Sequence, residues 1–285
     1  MNAIWVITKL TFREAMRRRI MLAGLVLGIS FLIIYSIGLH FIMTQVRGVA
    51  SATVPNQSVA NVINVESMNG FLMAGLYAVT FLAIAMAALL GADTLAGEIN
   101  SGTIQTIVTK PIRRADVVLG KWFGFAGLLG LYVVLMAGGV MLSMFLQTTY
   151  TPANLLAGLG LIYMESVLVM TVTLMFSSAF PALATGGIVF GLYGLSFIGG
   201  WIEQIGAALH NETAVKIGIL TSLFIPSESL WRRAAFEMQT PLSAVVGISP
   251  FGATSVPSVL MVAYAFLYLI GMLFLAVRIF QGRDL

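Results

Sequence analysis

The chain has no cysteine. That excludes a disulfide framework, a thiolate metal site, an iron–sulfur cluster and a Cys nucleophile. It is also short of charge: 15 basic and 11 acidic residues among 285, or 9%, against about 25% in soluble domains. So few charges cannot cover a water-soluble globule of this size, and the same shortage excludes a disordered chain or a nucleic-acid binder. Histidine is limited to His40 and His210, and neither has a second ligand at helical spacing. No His-Glu-x-x-His zinc helix occurs. Gly194-Leu195-Ser196-Phe197-Ile198 lacks the second glycine of a nucleophile elbow. There is no Gly-x-x-x-x-Gly-Lys-[Ser/Thr] phosphate loop, because Gly120-Lys121 runs into Trp122. The chain is therefore expected to be no enzyme and to bind no metal or cofactor of its own.

What is present is apolar. Hydrophobic residues make up 59%, with a mean hydropathy of +0.98, and the expected class is an all-α polytopic membrane protein forming one domain over 1–285. About 20 apolar residues cross a bilayer core. Six stretches qualify, at about 20–43, 71–92, 117–146, 155–180, 184–202 and 256–279. A seventh, 217–225, is too short to span and reads as re-entrant or interfacial. The first run is too long for a cleavable signal peptide. Lys9, Arg13, Arg17, Arg18, Arg19, Lys110, Arg113, Arg114, Lys121, Arg278 and Arg283 fall on one side of these spans, and Arg47, Lys216, Arg232 and Arg233 on the other. The excess of basic residues marks the cytoplasmic side, so both termini are expected there.

Residues 1–19 read as an amphipathic helix. Ile4, Thr8, Phe12 and Ala15 share a face, with Lys9, Arg13 and Arg17 as a basic stripe beside it. Such a helix either lies at the membrane surface with its cations toward lipid phosphates or is a plain basic flank of the first span. The outer segment 44–69 reads as a polar loop. The segment 203–255, interrupted by prolines, reads as short helices packed over the outer membrane surface. Glu165 is the only ionisable residue well inside an expected span, which makes it either a gating residue or a structural hydrogen bond to a neighbouring helix. Gly24/Gly28, Gly120/Gly124 and Gly187/Gly191 have the small-residue spacing that lets helices approach closely, either within one subunit or between two. The 16 methionines are scattered, which suits flexible packing better than a metal path.

The inner segment 93–116 carries the most specific pattern. Gly102 can end one helix and Thr103 can cap the next. Ile104, Ile107 and Val108 then form an apolar ridge, and Pro111 stops it. An exposed apolar ridge of this kind marks a docking surface or a helix lying back on the membrane.

Here the sequence resembles the ABC-2-type permease subunits of ATP-binding-cassette transporters. The resemblance rests on Glu98-x-x-x-Gly102-Thr103, then Pro111-Ile112-x-Arg114, then Gly120-Lys121. The Phe176-Ser177-Ser178 turn, the Pro226-Ser227-Glu228-Ser229-Leu230-Trp231-Arg232 stretch and the Arg283-Asp284-Leu285 ending agree with it. It covers essentially the whole chain. The resemblance implies a permease in the inner membrane of a prokaryote, an exporter working by alternating access. It also implies a separate ATPase subunit that binds ATP and Mg, a second permease subunit (identical or paralogous) and possible accessory subunits. Glu98, Gly102 and Thr103 inherit the coupling element, with Pro111 and Arg114 in the loop after it. The first, second and fifth spans inherit the dimer axis and a central cavity. The competing expectation is a non-transporting scaffold, which needs no docking ridge.

Overall fold

The computed structural model describes residues 3–53, 57–100, 113–242, 251 and 255–282, with the backbone alone for 46–53 and 98–100. The described residues form helices joined by short turns, with no strand among them. In chain order the helices are α1 (Ala3–Arg17), α2 (Arg19–Thr53), α3 (Gln57–Ala92), α4 (Thr94–Asn100), α5 (Arg114–Thr148), α6 (Leu155–Ser177), α7 (Ala182–Ala208), α8 (Glu212–Phe224), α9 (Ser227–Met238) and α10 (Val259–Gln281). Six of them, α2, α3, α5, α6, α7 and α10, are long and apolar enough to cross a membrane.

Three of these helices, α2, α3 and α5, are far longer than a bilayer core requires, with 35 or 36 residues each. At about 1.5 Å per residue, the 36 residues of α3 measure about 54 Å, against a hydrocarbon core of about 30 Å. The surplus accounts for a difference from the sequence reading. The segment 44–69 is largely not a loop, because α2 continues to Thr53 and α3 begins at Gln57. Polar residues such as Gln57, Asn61 and Asn64 are acceptable in a helix once it has left the hydrocarbon.

α6 sits at the centre. It packs against α3, α9 and α10, and all its residues from Glu165 to Met175 are buried. α1 is laid along the first half of α5. Ile7 meets Gly120, Thr8 and Thr11 meet Gly124, and Phe12 approaches Gly127, so the two helices advance together. A Cβ on Gly124 would stand 2.8 Å from Thr11 Cβ and 3.0 Å from the Thr8 carbonyl. The Gly120/Gly124 pair therefore seats the N-terminal helix rather than another span.

α7 and α8 form a close hairpin. His210 turns the chain at φ 53°. Asn211 then caps α8, its Oδ1 accepting from the Thr213 and Ala214 amides at 3.1 and 3.2 Å. Gly218 lies against Gly199 and Glu203, and Gly206 against Ala214; each lacks the Cβ that would force the pair apart. α8 then descends beside α10. Tyr264 and Tyr268 hydroxyls donate to the Leu223 and Phe224 carbonyls at 2.6 and 2.7 Å, satisfying carbonyls that the helix end leaves open.

The chain turns at Ile225-Pro226 and climbs back as α9. The C-terminal end of α9 is fixed by Asn69, whose Nδ2 donates to the Met238 carbonyl at 3.3 Å. Its start lies beside Tyr77, eight residues further along α3, or about 12 Å deeper. So 217–225, which the sequence leaves as re-entrant or interfacial, belongs to the first limb of a helical hairpin that turns at Ile225-Pro226 and returns as α9. The expectation that 203–255 packs over the outer surface fails for α9, which is buried among α6, α7 and α10.

Candidate functional site

The segment 93–116, called the inner segment after its expected side, is rooted in the bundle at both ends. On the entering side, the α3–α4 turn exposes backbone donors that Ser177, at the end of α6, meets. Its Oγ accepts from the Leu95 and Ala96 amides at 3.2 and 3.1 Å and donates to the Ala92 carbonyl at 2.9 Å. The side chain of one helix thereby caps another. The buried Lys121 ammonium donates to the Thr94 carbonyl at 3.5 Å. Arg18 lies 3.6 Å from Asp93. Leu95 is buried among Val117, Val118, Leu174, Ala276 and Phe280, so three helices, α5, α6 and α10, grip it. On the leaving side, Arg114 Nη1 donates to the Gln281 carbonyl at 3.1 Å, tying the start of α5 to the end of α10.

Of the residues assigned to coupling, Arg114 thus anchors the leaving limb. Glu98 falls in α4, whose described backbone includes it without its side chain. Gly102, Thr103, Ile104, Ile107 and Pro111 lie outside the described residues. Lys9, Arg13 and Arg17 line the exposed side of α1, while Thr11 and Ala15 of the same helix are buried.

The second feature is a polar cluster at membrane depth. Glu165 is fully buried, and neither of its carboxyl oxygens has a hydrogen-bond partner among the described residues. An ionised carboxyl in that setting is costly, by about 2.5–3.5 kcal/mol on insertion scales. It is not alone, contrary to the sequence reading. Glu228, at the foot of α9, is 1% exposed and accepts from the Tyr77 hydroxyl at 3.5 Å. Arg232 and Glu203 form a buried pair, with Nη2 to Oε2 at 2.9 Å. Ser255 Oγ donates to Glu203 Oε1 at 2.7 Å. Ser196 Oγ donates to the Ile225 carbonyl at 2.9 Å and accepts from the Glu228 amide at 3.4 Å. It thus serves the non-helical turn, which at this depth is tolerated only where protein supplies its partners. Hydropathy alone hid these residues. The available signal was the re-entrant run itself, since a chain that enters to Ile225 has to climb back out, carrying Glu228 and Arg232.

Beside this cluster an apolar hollow of about 600 Å³ opens on α2, α3 and α7. Phe31, Tyr77, Phe81, Phe197 and Phe251 supply its rings. The glycine pairs divide. Gly24 faces Met86, and Gly28 faces Met136 and Tyr132, so both serve packing within the chain; Gly187 and Gly191 are exposed, with nothing among the described residues within 4 Å of a Cβ.

The comparisons with known proteins agree with one another. A family model described as "ABC-2 family transporter protein" matches residues 5–285. The "Probable ABC transporter permease protein NosY" of Stutzerimonas stutzeri is 26% identical over 136 residues, which is 47% of this chain and 43% of that protein. The match thus spans less than half of that relative's length.

Proposed function

Because this chain belongs to the ABC-2 family of transporter proteins and is a multi-pass membrane protein, we propose that it is the permease subunit of an exporter driven by a separate ATPase. In this reading the segment 93–116 is the coupling element. ATP and Mg bind to the partner ATPase, and its motion reaches the spans through α4. The termini and the coupling element face the cytoplasm of a prokaryote, as the basic residues favour. A second permease subunit closes over α2, α3 and α7, turning the 600 Å³ hollow into a chamber between subunits. The open face at Gly187 and Gly191 suits such a neighbour.

The observation that carries the reading is the double rooting of the inner segment, through Ser177 at one limb and Arg114 at the other. A load applied to the segment is then delivered to α6 and α10 instead of being lost in a loose loop. A scaffold has no use for that. The test is a photo-crosslinker at Ile104 in native membranes, together with ATPase measurements on the purified chain. The expected results are capture of an ABC ATPase and no turnover by the chain alone. Turnover by the isolated chain, or absence of an ATPase from the crosslinks, would refute the proposal.

A further inference from the structure

α1 and α5 do not close fully along their contact. On the side away from the bundle a groove of about 840 Å³ lies between them. Trp5, Phe12, Phe123 and Gly127 supply an apolar floor, and Lys9 and Arg13 stand along its rim. Gly127 leaves room there, since the nearest atom to a Cβ would be Phe12 at 3.9 Å. Trp5 is 65% exposed and Phe123 49%, far more than aromatic rings in a finished core. Lys9 and Arg13 are exposed, one helical turn apart, and have no ion-pair partner among the described residues. Glu14, the acid of α1, is held by Arg18 at 2.7 Å. The rim is therefore a two-cation site with no internal counter-charge, set directly against an apolar floor.

We propose that this groove holds an anionic glycerophospholipid from the leaflet on the α1 side. An acyl chain lies over Gly127 between Phe12 and Phe123, and the anionic head sits between Lys9 and Arg13. The charge arrangement selects among lipids, because a zwitterionic head would bring its ammonium toward two cations. A soluble anion leaves the apolar floor unexplained. The proposal rests on the chain spanning a membrane and not on how the inner segment couples, so its failure and that of the transport reading are separable.

The test is native mass spectrometry of the full chain, purified from membranes, against phosphatidylglycerol and phosphatidylcholine with matched acyl chains. Selective retention of phosphatidylglycerol is expected. Near-surface cations contribute roughly fivefold each to binding anionic lipid, so K9A/R13A should weaken retention about twenty-five-fold. Arg17 and Arg19 are exposed cations close by in the chain that do not line the groove, and R17A/R19A should leave selectivity in place. G127L fills the floor without touching charge and should also lower retention. Three results would overturn the proposal: equal retention of both lipids, equal losses in the two double variants, or capture of polypeptide in place of lipid by a photo-crosslinker at Phe123 in native membranes.

Discussion

Replacing Ser177 by alanine removes one oxygen and tests how firmly the inner segment is rooted. The hydroxyl is fully buried and serves three backbone groups: the Leu95 and Ala96 amides and the Ala92 carbonyl. Losing a side-chain cap costs about 0.5–2 kcal/mol. A buried donor left without an acceptor costs about 1–3 kcal/mol. Water entering at the inner end recovers part of this, so about 2 kcal/mol is the expected loss in the local stability of α4. That corresponds to roughly thirtyfold faster amide exchange at Leu95 and Ala96. Ser166→Ala is the matched control. It is a buried serine of the same helix whose hydroxyl donates only to its own helix, at Ile162 O and 3.0 Å, and it should leave α4 exchange unchanged. On the transport proposal, Ser177→Ala should reduce ATP-driven conformational change in the complex with the proposed ATPase while membrane insertion persists. Unchanged exchange at α4, or equal effects from the two serines, would refute the claim that α6 holds the root of the inner segment.

Three further outcomes follow from the packing. Glu203→Ala leaves the Arg232 guanidinium buried without its carboxylate, which should cost about 3–5 kcal/mol; thermal unfolding in detergent should show the loss, and adding Arg232→Met should recover most of it. Gly124→Val drives a side chain into Thr11 and the Thr8 carbonyl, so α1 should lift from α5 at about 1–3 kcal/mol and become cleavable by trypsin within its own length, as limited proteolysis would show. A Cβ on Gly187 meets no atom of the described residues, so the melting temperature of Gly187→Phe should hardly move, while light scattering should show the loss of the subunit pairing proposed above.

The spans were legible because crossing a bilayer demands both length and apolarity, and the sequence displays both directly. The ends of α2 and α3 were not, because a helix emerging into water is free to carry Gln57, Asn61 and Asn64, residues that read equally well as loop. The spacing of Gly120 and Gly124 announced a close helix contact without saying that its partner is α1 and not a span. α9 was hidden for a different reason. Hydropathy scores Glu228 and Arg232 as if each faced its surroundings alone, yet Arg232 is neutralised by Glu203, 29 residues away. The cost of burying each is set by a partner that no local window contains. The Phe176-Ser177-Ser178 turn contributed to the family resemblance, but its work, capping a helix more than 80 residues earlier in the chain, follows only from the fold.

The position of α6 gives these separate features a common mechanical logic. Its inner end carries the oxygen that holds α4, and twelve residues earlier, about 18 Å along the axis, it carries Glu165. Between them every side chain but the half-buried Phe176 is buried, and α3, α9 and α10 pack around it. Protein interiors packed to this degree transmit displacement instead of absorbing it, since even a methylene's change of volume is felt. If α4 moved while α6 stayed, the three Ser177 bonds would break, and the buried Leu95 would leave its cluster. If the two moved together, the three Ser177 bonds and the Leu95–Leu174 contact would survive. The second course is cheaper by several kcal/mol on the hydrogen bonds alone. A pull on the inner segment is therefore expected to shift α6 as a body, and with it Glu165 relative to Glu228 and the α8–α9 hairpin.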